Sequence, residues 1–308
     1  MELKDQLSWT EFLKESSKEK KISEVKPFNR LIAHTRNLFI ISGYGAFTKG
    51  YFLIVTKDFI PSFGLINNEM LNELNFLVNL SKHYIKLKYS RNVAVFEHGM
   101  CACIGGLDRA HIHLMSVNES STEKSFRDSI DKVLFKRKVG IEYIKFGKYK
   151  LENIHDINQF MDNAKDKDNK DYEIVGQLSK IKDIKNLDVK KWPLITLSHI
   201  KKGGHYVYFG TDYPNSSFLT IKNFQTQFGR QVVFENELIT SSSFKREVDE
   251  IIKTNPLAEV WKWQSCIFSQ NIIQTVNESR ADLKDFKDFK DLKEKFKKEI
   301  KEFEFKVI

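Results

Sequence analysis

Phe96-Glu97-His98-Gly99, Gly105-Gly106 and Asp108-Arg109-Ala110-His111-Ile112-His113-Leu114-Met115 lie within residues 96–115 and decide how the chain is read. As a strand, the last part sends alternate side chains to opposite faces. Arg109, His111 and His113 then share one face, and Ala110, Ile112 and Leu114 point into a core. Burying a guanidinium and two imidazoles in a row costs free energy unless each finds a partner. Three readings of the row stand side by side. In the first, it binds an anion: Arg109 holds a phosphate and a neutral histidine attacks it. In the second, His98, Cys101, Cys103, His111 and His113 hold a metal, although Cys-x-Cys and His-x-His are not zinc-finger spacings. In the third, the imidazoles belong to the core and are satisfied by backbone carbonyls.

Outward from this stretch, strands are predicted at Leu38 to Ser42, Tyr51 to Thr56, Asn92 to Glu97 and Ala110 to Val117. They are rich in β-branched and aromatic residues. Met70, Leu71, Leu74, Leu77, Val78, Tyr84 and Ile85 recur at helical spacing and predict one long helix over Asn67 to Lys88. Strands around a helix make an α+β domain. It is placed at residues 26–145, after a polar N-terminal helix within residues 1–25. Residues 146–308 read as a C-terminal α+β extension packed on that domain. There, helices are expected over Ile154 to Ala164 and Asn223 to Leu238, with a solvated loop at Lys165 to Lys170. Strands are expected at Pro193 to Leu197 and His205 to Phe209, joined by a turn at Lys202-Gly203-Gly204. Trp261 and Trp263 stand two residues apart, and the tail, Ala281 to Phe303, forms an amphipathic helix.

Composition narrows the function classes. Of 308 residues, 41% are hydrophobic and 30% charged, which fits a globular chain and argues against global disorder. No apolar run is long enough for a membrane-spanning helix, and the charged N-terminus lacks the apolar stretch of a signal peptide. Three cysteines exclude a disulfide framework and make the cytoplasm the expected compartment. The net charge of +9 favours anionic partners. Lysines are spread along the whole chain and read as a solubilising surface, so the charge does not choose among nucleotides, nucleic acid and acidic lipids.

Residues 96–115 resemble the histidine triad superfamily, whose signature is His-φ-His-φ-His-φ-φ with φ apolar. They are most similar to a bacterial branch with a Glu-His-Gly element ahead of the motif. Glu97-His98-Gly99 and Asp108-Arg109-Ala110-His111-Ile112-His113-Leu114 carry the likeness. Gly50-Tyr51-Phe52-Leu53-Ile54-Val55-Thr56-Lys57 and the following long helix extend it over residues 28–117. A weaker likeness covers His205-Tyr206-Val207-Tyr208-Phe209, Gln227-Phe228-Gly229-Arg230 and Trp261-Lys262-Trp263. The chain departs from the pattern in three places: Arg109 replaces the first histidine, Tyr51 replaces the Gly-His histidine, and Met115-Ser116 stands where the motif ends in proline.

The resemblance implies an antiparallel sheet with a long helix, and a nucleotidyl hydrolase or nucleotidyltransferase that cleaves at an α-phosphate. His111 would be the nucleophile, forming a nucleotidyl-histidine intermediate. Arg109 would steady charge on the phosphoryl oxygens, and His113 would orient His111 or touch the phosphate. Gly105 and Gly106 would offer amide donors, while Glu97 and His98 would position the ribose or leaving group. Phe28, Leu31 and Ile41 would lie against the base. Gln227 and Arg230, three residues apart on one helix face, would add a second cation for a polyphosphate. The substrate would be a dinucleoside polyphosphate, a nucleotide sugar or a similar molecule, with no metal or other cofactor, and the resemblance allows a homodimer. Two further readings are a nucleotide-binding regulator with weakened catalysis and a protein that processes nucleic-acid ends.

Overall fold

The computed structural model describes residues 9–26, 28–60, 62–99, 109–136, 175–177, 206–210, 217–220, 227–285, 294 and 304–308. Among these, nine antiparallel strands form one sheet. They are β1 (Leu31–Thr35), β2 (Leu38–Ser42), β3 (Phe52–Thr56), β4 (Asn92–Gly99), β5 (His111–Val117), β6 (Val175–Gln177), β7 (Tyr206–Gly210), β8 (Ser217–Thr220) and β9 (Phe305–Val307). Their order is β6-β8-β7-β4-β5-β3-β2-β1-β9. Strands from both halves of the chain therefore share the sheet, and β9 pairs with β1 at the edge opposite β6. The helices are α1 (Trp9–Ser16), α2 (Asn68–Tyr89), α3 (Glu123–Lys136), α4 (Phe228–Thr240), α5 (Ser242–Thr254) and α6 (Ser269–Asp285). No helix among the described residues is long and apolar enough to cross a membrane.

α2 starts where Asn67 accepts a hydrogen bond from the Met70 N–H, and it stops at Ser90, which adopts the left-handed conformation. Its apolar stripe of Met70, Leu74, Leu77 and Val78 is buried. Glu73 is buried too, and its carboxylate accepts from the Thr35 hydroxyl, the Asn37 backbone N–H and the Asn37 side-chain amide. One carboxylate of α2 thus holds the β1–β2 turn. The other sheet face carries Phe39, Val55, His111, His113 and Phe96. There α1 sets Phe12 against Phe39, with ring centres 5.8 Å apart, and α4 lies over β4. A Cβ on Gly229 would come within 2.2 Å of the Phe96 ring, so this close approach of helix to strand requires glycine.

Because both faces are covered, β1, β2 and β3 are buried at every position. β2 has the bounds expected from its sequence, β3 begins one residue later than expected, and α2 spans the predicted helix. β1, α3, β6, β8, α5 and β9 were not foreseen, nor was α6 up to residue 281, where the expected tail helix begins. α3 carried a signal: Thr122 and Ser125 exchange backbone and side-chain hydrogen bonds at its start. α4 begins later than the sequence suggested, because Gln227 has φ of 69° and lies outside the helix. The expected helix at 154–164, the loop at 165–170, the strand at 193–197 and the turn at 202–204 lie outside the described residues. So does the tail helix beyond Asp285, apart from residue 294.

Candidate functional site

The register sets the site. His113 pairs with Leu53 on one side and Phe96 on the other, while His111 pairs with Val55. His98 falls two residues beyond Phe96 on β4, on the same face. The His111 and His113 ring centres are 5.0 Å apart, and those of His98 and His113 are 6.2 Å apart. His113 stacks on Phe96 at 4.3 Å with 11° between the ring planes. The structure therefore brings together His98, His111 and His113.

Glu97 does not join them. Adjacent strand residues face opposite ways. Glu97 is buried on the α2 side of the sheet, where its carboxylate accepts from the Phe63 N–H at 2.8 Å. The expectation that Glu97 and His98 act together on a ribose or leaving group is corrected accordingly. Arg109 is also placed differently: it sits in a bend ahead of β5, and its Nε donates to the Lys57 carbonyl at 3.0 Å. Its backbone carbonyl, in contrast, reaches the site, lying 2.9 Å from His111 Nδ1. Gly105, Gly106, Cys101 and Cys103 lie outside the described residues. Among the described residues, no group of three or more His, Cys, Asp or Glu side chains is arranged to hold a metal ion.

A carbonyl only accepts, so Nδ1 of His111 carries the hydrogen and its Nε2 keeps a lone pair. The ring is half-buried, and burial lowers its pKa. His111 is thus neutral at pH 7, with the nitrogen remote from the backbone available as base or nucleophile. His98 Nε2 accepts from the Gly229 N–H at the start of α4, at 3.1 Å, which leaves the His98 proton on Nδ1. His113 is more deeply buried. Burial pushes its pKa well below the usual histidine value, and the neighbouring His111, His98 and Arg230 add to the effect. Tyr51 Oη lies 2.6 Å from His113 Nδ1.

Arg230 and Gln227 reach this region as clamps. Arg230 is buried, and its Nε, NH1 and NH2 donate to the carbonyls of Trp261, Tyr44 and Gly45. Each of its three nitrogens donates to main chain, where the sequence led to the expectation of a second phosphate cation. Gln227 accepts from the Trp263 N–H and donates to the Gln264 side chain, and Trp263 stacks on Tyr44. The Gln-x-x-Arg and Trp-x-Trp segments meet at the loop between β2 and β3, whereas the aromatic β7 pairs with β4 and β8. Leu31 and Ile41 are buried, and Phe28 packs edge to face with Phe12 of α1, so Leu31 and Ile41, expected to lie against a base, belong to the core.

Comparison with protein-family models gives no match, and comparison with curated proteins gives no significant one.

Two residues on the same sheet face as His111, but at its β1 end, were not among the expected site residues. Lys57 is half-buried. Its ammonium donates to the Thr35 carbonyl and lies 3.3 Å from His34 Nδ1, and burial lowers the pKa of both groups. His34, Phe39, Val55 and His111 form one continuous row of cross-strand partners. Lys57 was visible in sequence as the residue closing the Gly50 to Lys57 stretch. His34 gave no such signal, because β1 was not recognised.

These imidazoles predict how stability follows pH. In the unfolded chain a histidine takes up its proton near 6.5, whereas folded His34, His111 and His113 resist until lower pH. Between those values the unfolded state binds more protons. Their contribution is complete above about pH 6.5 and is lost as pH falls towards the folded values. Urea midpoints should therefore be lower at about pH 5.5 than at about pH 7.5. An unchanged or higher midpoint at the acid pH would contradict the burial of these rings in neutral form.

Proposed function

We propose that this protein is a nucleotidyl hydrolase or nucleotidyltransferase that acts at a nucleotide α-phosphate through a covalent intermediate on His111. The observation that carries the reading is the hydrogen bond from His111 Nδ1–H to the Arg109 carbonyl, which directs the lone pair of a neutral imidazole to Nε2. That lone pair attacks phosphorus and forms a P–N bond. The P–O bond to the leaving group breaks, and its electrons stay on the departing oxygen. Water or another acceptor then attacks the same phosphorus, and the P–N electrons return to Nε2. Arg109, two residues before His111 and held by its Nε to the Lys57 carbonyl, adds a positive charge that favours an anionic ligand. Together with the histidine triad resemblance, this supports a dinucleoside polyphosphate, a nucleotide sugar or a similar molecule as substrate.

The experiment is to incubate the full chain with a panel of α-³²P-labelled nucleotides of these classes, then denature it. Label should stay on the protein as an acid-labile adduct and should be absent from His111→Ala. Turnover without labelled protein, or equal labelling of the variant, would overturn the covalent mechanism. A nucleotide-binding protein without turnover is the second reading. It is favoured by Arg109, which stands where the resemblance has a histidine and gives its Nε to the Lys57 carbonyl. Tight nucleotide binding with neither label nor turnover would decide for it.

A further inference from the structure

Tyr51 and His113 are both buried, and one hydrogen lies between Tyr51 Oη and His113 Nδ1, 2.6 Å apart. Which group owns it determines what His113 offers at its other nitrogen. Two observations decide. First, the guanidinium of Arg230 lies 5.3 Å from the Tyr51 ring centre, and Arg230 and Arg30 both act on the phenol as nearby positive charges. A guanidinium only donates, so these cations favour a phenol whose oxygen lone pairs face them and whose hydrogen points away. Second, burial raises the Tyr51 pKa, so the phenol keeps its proton and remains a donor.

We infer that Tyr51 is a positioning residue: its hydroxyl donates to His113 Nδ1, fixes the proton of His113 on Nε2, and so makes His113 a hydrogen-bond donor to an oxygen of the phosphate that His111 attacks. This rests on the nucleotidyl-transfer reading. The two neighbouring imidazoles then hold opposite tautomers. His111 carries its proton on Nδ1, against the Arg109 carbonyl, and offers a lone pair. His113 accepts at Nδ1 and offers an N–H. A tetrahedral phosphoryl group has a use for both, because its phosphorus takes the lone pair and a non-bridging oxygen accepts the hydrogen. Since each tautomer is set by a neighbour within the fold, the arrangement exists before any ligand arrives. Tyr51, which in sequence counted as a departure from the family pattern, acquires a role here.

The test is nuclear magnetic resonance of the full chain with ¹⁵N-labelled imidazoles, near neutral pH and without ligand. His113 should show an unprotonated Nδ1 and a protonated Nε2, and His111 the reverse. Adding inorganic phosphate should shift the His113 Nε2 resonance. In Tyr51→Phe, His113 should lose its single tautomer. Turnover of the substrate that labels His111 should fall about tenfold in kcat, the scale of one lost orienting hydrogen bond, with KM little changed. A proton on His113 Nδ1 in the wild type, or wild-type tautomers and kcat in Tyr51→Phe, would overturn the inference. Should the variant fail to fold, the wild-type spectrum still decides. The two readings fail separately: the inferred tautomers without any His111 adduct would sink the nucleotidyl-transfer reading alone. An adduct on His111 with the His113 proton on Nδ1 would sink the role of Tyr51 alone.

Discussion

His111→Ala is expected to lower turnover by roughly 10⁴-fold or more while leaving nucleotide affinity within about tenfold. The asymmetry follows from what a nucleophile does. It makes few ground-state interactions, but without it no P–N bond forms and the reaction must proceed by direct attack of water. The His111 ring donates to a main-chain carbonyl on a bend and so contributes little to the core. The variant should therefore fold, and a loss of turnover can be assigned to chemistry. Steady-state kinetics on the wild-type substrate, alongside equilibrium binding of a nucleotide, make the comparison. Wild-type turnover in the variant would remove His111 from the mechanism.

The second large effect is on stability. Arg230→Ala deprives the carbonyls of Tyr44, Gly45 and Trp261 of their donors inside the protein. Unsatisfied buried polar groups are costly, and a loss of about 3–5 kcal/mol is expected, read from the urea midpoint. Lysine cannot reproduce a planar fork that reaches three carbonyls at once, so Arg230→Lys should recover only part of it. The sequence pointed to a different outcome, a raised KM for polyphosphate substrates. A variant with an unchanged midpoint and a raised KM would restore Arg230 to phosphate binding.

What could be read in advance follows from where periodicity is strong. α2 repeats an apolar stripe over 22 residues and has a capping asparagine, so its span was legible. β2 and β3 are unbroken apolar runs because both faces are covered. β1 is short, follows Arg30 and contains His34, so nothing local marks it as a strand. Its place depends on β2, on β9 and on the Glu73 carboxylate that holds the turn. In the site, the sharing of a face by His111 and His113 followed from alternation alone. The same rule, applied to β4, separates Glu97 from His98. The pairing of Gln227 with Arg230 assumed a helix through both, and the left-handed conformation of Gln227 breaks it. The part played by Tyr51 could not be read at all, because it depends on a cross-strand register and on an arginine that comes 179 positions later in the chain.

The order of the strands has a consequence for biosynthesis. β4 lies between β5 and β7, and β1 between β2 and β9, so each waits for a neighbour encoded far downstream. During translation β1 would present an unpaired edge for most of the time the chain takes to emerge, and β4 for about a third of it. Open edges of apolar strands are templates for pairing between chains, and pairings between distant segments form slowly. The Leu-Ile-Ala run of β1, buried in the finished sheet, is the most exposed to this risk. Crowded synthesis, more than instability of the completed fold, is thus where this protein is most open to aggregation, and a chaperone that shields β1 until β9 emerges would act at the right place and time.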